Sequence, residues 1–191
     1  MKDKSPQAAR LIHSFAVCNG SIAFALANTI VGDTVLVSGL MIYMVNRLAS
    51  LYGIKDFNIN QLVSQCFSYY AGAYAAEKLL FWVPGLGNWV NATTTVLITE
   101  TVGWASVAVF RTGKRPEDLT RRQWQAILRT AKAKARTYQR QVQALLKKMT
   151  PAEKRSFKDL NKKLSSKRLS ERQKAGSLKS LQKLYADIEG R

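Results

Sequence analysis

The chain is 191 residues long, 47% of them hydrophobic, and its formal net charge is +18, so it fits one ordinary domain or two small ones. It contains two cysteines and one histidine with no CxxC or His–Cys cluster, which argues against a structural zinc site. The chain also lacks a Walker-type glycine loop, an obvious carboxylate pair and a nucleophile near its histidine, so we expect no enzyme, no cofactor and no metal.

The first part of the chain contains four apolar stretches of around 20 residues, at about 11–31, 34–52, 62–83 and 88–110. A helix of about 20 apolar residues can cross a hydrocarbon layer about 30 Å thick. Gly, Asn and Pro residues lie in the short connections, which make neighbouring helices antiparallel. The pattern therefore predicts two helical hairpins, 11–52 and 62–110, that insert in a membrane.

Basic residues favour one orientation of these hairpins. The side that both termini share would hold the basic C-terminal part of the chain together with Lys2, Lys4, Arg10, Arg47 and Lys55. Lys78 is the only basic residue near the other side. Because cytoplasmic loops carry the excess of Lys and Arg, we expect both termini to be cytoplasmic.

Small residues form a stripe within the apolar stretches. Ser64, Ser68, Gly72 and Ala76 recur every four residues, and Gly103 makes the fourth stretch slim. Small residues at such positions let helices pack closely, in a bilayer or in a soluble bundle. We predict that these five residues pack against neighbouring helices.

Glu100 is a carboxylate in the middle of the fourth stretch. A charge at membrane depth is costly and usually faces a bundle interior or water. The residue is therefore a pore or proton-path residue, a hydrogen-bonded or protonated packing residue, or a surface residue of a soluble bundle.

The charge changes sharply near residue 111. Residues 1–110 carry a net charge of +1, and the remaining 81 residues carry +17. We place a boundary there, between an apolar membrane-associated domain (1–111) and a basic helical cytoplasmic tail (112–191). Capping-box spacings at Thr120, Thr150 and Ser170 predict the starts of three helices in the tail.

The first of these helices is predicted to be long and amphipathic, with Trp124 and Tyr138 on its apolar side. The sequence thus predicts an all-α fold, in which two antiparallel helical hairpins precede a long basic amphipathic helix and one or two short basic helices. The residues predicted to bind a partner, anionic lipid or nucleic acid are Arg121, Arg122, Arg129, Lys132, Arg136, Arg140, Lys147 and Lys148.

Two ordered blocks carry a resemblance to a known family. The first comprises Ala25–Thr34 and Leu40–Ile54, and the second comprises Val83–Gly87, Thr99–Gly103 and Val107–Phe110. Over roughly residues 14–115 the chain resembles a bacterial domain of unknown function that is found attached to Era-like GTPases and in stress-related inner-membrane proteins. It departs from that pattern at Val31-Gly32, where Pro-Gly is usual. The resemblance implies a helical module of the bacterial inner membrane, with a GTPase supplied by another polypeptide.

These observations leave three functions open. The leading one is a membrane-associated scaffold or adaptor whose hairpins insert and whose basic helices bind a partner or the anionic leaflet. The second is a membrane tether for nucleic acid or the ribosome, in which the same basic residues neutralise phosphates. The third is an oligomeric pore or membrane-perturbing effector, which is suggested by Glu100, by the threonines of the fourth stretch and by the glycine-bearing apolar helices.

Overall fold

The structure is a computed structural model that describes residues 4–25, 32–66, 87–166 and 168–191. Within these ranges the chain forms helices and connecting turns and no strand, which confirms the all-α fold class. In chain order the helices are α1 (Ser5–Ala25), α2 (Gly32–Tyr52), α3 (described over residues 59–66), α4 (Gly87–Thr112), a short 3-10 helix (Pro116–Asp118), α5 (Arg121–Lys148), α6 (Pro151–Ser165) and α7 (Glu171–Glu189).

Capping boxes start the last three helices, as their sequence predicts. Thr120, Thr150 and Ser170 each accept a hydrogen bond from the backbone N–H three residues later, and the side chain of that later residue bonds back to the cap. Each box satisfies backbone donors that the first turn of a helix leaves unpaired. The positions at which α5, α6 and α7 begin are therefore set by local sequence.

Glycines end α2 and α4. Gly53 and Gly113 have φ angles of 78° and 68°, a left-handed conformation that residues with a Cβ rarely adopt. At the end of α2 the N–H of Ile54 donates to the carbonyl of Ala49 at 2.9 Å, which gives the paired hydrogen bonds of a Schellman motif together with Gly53 and Ser50.

Helix α4 is the centre of the fold and packs most extensively on α1 and α5. Two glycines allow close contact between α1 and α4. A Cβ atom at Gly103 would lie 2.7 Å from Cγ1 of Ile12, and one at Gly20 would lie 2.6 Å from Cγ2 of Val96. Both distances are too short for a real Cβ contact, so a larger residue would push the two helices apart.

Helices from both sides of residue 111 contribute to one hydrophobic core. Trp124, Leu128 and Leu146 of α5 are buried there, as are Phe157 of α6 and Leu181 of α7. Helices α6 and α7 both contact α1, and α6 also contacts α2. The packing therefore joins the apolar and basic parts of the chain, while their division into two domains, 1–111 and 112–191, stays a prediction.

The expectation of four membrane-spanning helices is not supported. Among the described residues, one helix, Ala92–Thr112, is long and apolar enough to cross a membrane, and 78% of its most apolar window is buried inside the protein. The core helix of a soluble protein meets the same test. Helix α1 is largely buried, but it contains the buried polar side chains of Ser14, Asn19 and Ser21, which lower its mean hydropathy. Localisation at the inner membrane therefore gains no more than weak support.

The predicted pairing into two hairpins stays a prediction, because residues 67–86 lie outside the described ranges. Ser68, Gly72 and Ala76 of the small-residue stripe fall in that segment. Ser64 is exposed, and Gly103 is buried against Ile12.

We expect Gly103→Ala to lower the free energy of unfolding by about 1–3 kcal/mol. The added methyl group meets three side-chain atoms of the fully buried Ile12, so this cost exceeds the gain of up to about 1 kcal/mol that alanine brings to a helix. Urea unfolding followed by circular dichroism measures the change.

Gly176→Ala is the matched control, since it lies within α7 and a Cβ there has no neighbour within 4 Å. It should stabilise the protein by about 0.5–1 kcal/mol. Stabilisation of both variants to the same extent would contradict the close contact of α1 and α4 at Gly103.

Candidate functional site

The outward face of α5 carries most of the residues predicted to bind a partner. Seven of these eight side chains are exposed, whereas Lys132 is partly buried. The apolar side of the same helix faces the core, where Trp124 is buried and Tyr138 is partly buried. Trp124 also donates a hydrogen bond from Nε1 to the carbonyl of Pro116 at 3.2 Å, which fixes the start of α5.

Four arginines of this face form a row that we call the arginine line: Arg122, Arg129, Arg136 and Arg140. Successive residues of an α-helix are about 100° apart, so these positions fall within an arc of about 40°. The arc lies roughly opposite the buried side of the helix. With a rise of about 1.5 Å per residue the line is about 27 Å long, and Lys147 extends it to about 38 Å.

Helix α5 itself contains no carboxylate beside these cations. The helix contains nine Lys and Arg residues and no Asp or Glu. Within the described part of the chain, Glu153 pairs with Arg191, and Glu171 pairs with Lys174 at 3.7 Å. The ion pairs of the basic helices are therefore made away from the arginine line, which forms none among the described residues.

A polar cluster lies where α1, α4 and α5 meet. Glu100 of α4 is fully buried. Its Oε1 is 2.6 Å from Nδ1 of His13 in α1, and its Oε2 accepts a hydrogen bond from Nε1 of Trp104 at 3.0 Å. A buried carboxyl group is tolerated when its oxygens are hydrogen-bonded. Glu100 is thus a hydrogen-bonded packing residue in this fold, and its pore role stays a hypothesis.

Helix α5 covers the cluster with an aromatic ring and a cation. The ring centroid of Tyr138 lies 4.2 Å from that of His13 and 6.1 Å from that of Trp104. Nζ of Lys134 lies 3.4 Å from the centroid of the Trp104 ring, a cation–π contact. Desolvation and the nearby Arg111 lower the pKa of Lys134, and Glu100 partly opposes this effect.

The sequence pattern did not indicate which residues bond to Glu100. His13 and Glu100 are 87 residues apart, and His13 was not among the predicted site residues. A usable signal was present, however. His13 is the one histidine of the chain, α1 has no acidic residue, and Glu100 is the one acidic residue of α4.

A cleft of about 320 Å³ lies between α2 and the corner that joins α6 to α7. Tyr43, Arg47, Ser165, Glu171 and Lys174 are among the residues that line it. Glu171 pairs with Lys174, which leaves Arg47 as the net charge of the cleft, so the cleft lacks the dense positive charge of α5. Among the described residues no three His, Cys, Asp or Glu side chains come together as they would around a metal ion.

Comparison of the chain with protein-family models, with curated proteins and with solved structures finds no match in any of the three. The resemblance of residues 14–115 to the GTPase-associated domain therefore stays a prediction.

We expect Glu100→Gln to lower the free energy of unfolding by about 2–4 kcal/mol, because one partner of a buried, hydrogen-bonded pair is changed while the other stays. Urea unfolding of this variant, of His13→Ala and of the double variant gives their coupling energy, which should be about 1–3 kcal/mol.

Glu117→Gln, in the exposed 3-10 helix, is the control and should change the free energy of unfolding by less than about 0.5 kcal/mol. A coupling energy near zero would contradict the contact between His13 and Glu100.

The two cysteines, Cys18 in α1 and Cys66 in α3, provide a test of the core. Burial raises the pKa of the Cys18 thiol, and it raises that of Cys66 to about 12. Because the thiolate is the reactive form, neither residue should react with a thiol reagent at about pH 8 in the folded protein, and both should react in urea. Rapid reaction of either thiol before unfolding would contradict its burial.

Proposed function

We propose that this protein is a non-enzymatic adaptor whose basic helices attach it by charge to the phosphate groups of an anionic partner. The observation that carries the proposal is the outward face of α5, where arginines are aligned and exposed and no carboxylate is present.

The large apolar side chains of α5 pack in the core. The exposed face of this helix therefore offers charged side chains but no apolar surface for binding. Its large apolar side chains are buried or partly buried, and the exposed residues between the cations are Gln, Thr and Ala. An amphipathic helix that enters a membrane interface needs its apolar face free. This arrangement supports attachment from outside, through charge, over insertion of α5.

Four of the arginines of α5 are also placed where they reduce helix stability. Arg121 and Arg122 lie in the first turn of α5, where the positive end of the helix dipole disfavours cations by about 0.3–1 kcal/mol each. Arg136 and Arg140 are four residues apart, a spacing at which like charges repel by a few tenths of a kcal/mol. An anionic partner would relieve both effects, and the fold itself gains nothing from them.

Membrane association remains a second candidate, and one observation favours it. Helix Ala92–Thr112 has the length and composition of a membrane span. It is mostly buried, however, so the anionic leaflet is better proposed as a surface to which the folded protein binds. A GTPase partner, which the resemblance of residues 14–115 implies, and a homo-oligomer remain proposals.

Electrostatic attachment predicts a strong dependence on salt. Full-length protein should co-sediment with vesicles rich in anionic phospholipid, or bind a nucleic acid, at about 50 mM salt and be released at about 500 mM. Neutral phosphatidylcholine vesicles are the control and should bind little at either concentration.

Two outcomes would contradict the proposal. The first is no binding to any anionic partner at low salt. The second is retention on neutral vesicles through a high-salt wash, which would indicate inserted helices in place of surface charge.

A further inference from the structure

We infer that the partner of the arginine line is duplex nucleic acid, held along α5 through its phosphate backbone and without dependence on base sequence. This inference rests on the proposed function, and it names the partner of the same surface.

The shape of the charged surface is the first reason. A bilayer presents a plane of charge, whereas the arginine line is one straight row on one rigid helix. Duplex DNA is a rod with one negative charge per about 1.7 Å of its axis, and each strand advances about 3.4 Å per nucleotide. A duplex therefore presents phosphates along the whole length of about 27 Å that the arginine line covers. The four arginine side chains lie within one arc of α5 and can face the same duplex.

The residues beside the line are the second reason. Ala126, Ala133 and Ala144 are exposed on the face next to it, and they let a phosphate backbone approach the helix closely. Thr137 and Gln125 are exposed on its two flanks and can donate hydrogen bonds to phosphate or sugar oxygens, which are the commonest protein contacts on DNA. The described outer face of α5 offers no large apolar side chain that could enter a lipid interface.

The burial of the aromatic residues favours a duplex over a single strand as the partner. Proteins that hold single strands stack bases on exposed aromatic rings. Trp124, Phe157 and Tyr185 are buried, and the ring of Tyr138 packs on His13. The described basic helices thus present charge and hydrogen-bond donors but no stacking platform, which suits paired bases.

The test compares two full-length variants from which four charges are removed. The first replaces the arginine line by glutamine (Arg122→Gln, Arg129→Gln, Arg136→Gln, Arg140→Gln). The control removes four exposed charges from α6 and α7 (Arg155→Gln, Lys163→Gln, Lys179→Gln, Lys183→Gln). Glutamine is about as good a helix former as arginine or lysine, so both variants should fold, and circular dichroism with thermal unfolding checks this.

Binding is measured by fluorescence anisotropy of two unrelated labelled DNA duplexes of about 30 base pairs, over a series of salt concentrations. The unmodified protein should bind both alike, with log K falling against log salt at a slope of about −4 or steeper. The arginine-line variant should lose at least about a hundredfold in affinity at 0.1 M salt and about three to four units of slope, whereas the control should lose less than about tenfold.

Four other outcomes of these binding measurements would overturn the inference. Equal losses in both variants would overturn the inference, since bulk charge would then account for binding. Tighter binding to a labelled oligothymidine than to the duplex would also overturn it. Binding to anionic vesicles but to no duplex would overturn the inference and leave the proposed function standing, whereas binding to neither would overturn both.

Discussion

The close contact between α1 and α4 is the constraint on which the rest of the fold depends. Gly103 and Gly20 remove the side chains that would hold the two helices apart, so that Ile12 and Val96 pack into the spaces. This approach also brings Nδ1 of His13 to within 2.6 Å of the Glu100 carboxyl group. A carboxyl group in the middle of an apolar helix would be costly without a partner, and the pair removes this cost only while both helices stay together.

The central position of α4 in turn fixes which side of α5 faces solvent. Trp124 anchors the beginning of α5 through its bond to Pro116, and Gln143 donates a hydrogen bond to Thr93 of α4 at 2.9 Å near the other end. With both ends held, the helix cannot rotate about its axis without breaking a buried contact. The arginines opposite the buried side therefore stay outside, and the same helix packs with one side and carries charge on the other.

Local signals in the sequence predicted local structure well. The capping boxes at Thr120, Thr150 and Ser170 involve residues three positions apart, so their chemistry can be read directly from the chain. The exposure of the basic residues of α5 follows from the same kind of reasoning, because apolar residues at intervals of three and four define the buried side. The environment of α4 could not be predicted in this way. A helix of its length and composition suits either lipid or a protein core, and the choice depends on whether distant helices supply enough apolar surface to cover it.

Glu100 and His13 also decide which form of membrane attachment is compatible with this fold. If α4 entered a bilayer alone, Glu100 would lose His13 and place a carboxyl group in hydrocarbon, where no water can replace the lost partner. If α1 entered with it, the buried polar side chains of Ser14, Asn19 and Ser21 would enter as well, and the bond that Asn19 donates to Thr99 of α4 would have to survive the transfer. Attachment through the outward face of α5 breaks none of these contacts. The proposed binding by surface charge would therefore leave the core intact, whatever anionic partner supplies the phosphates.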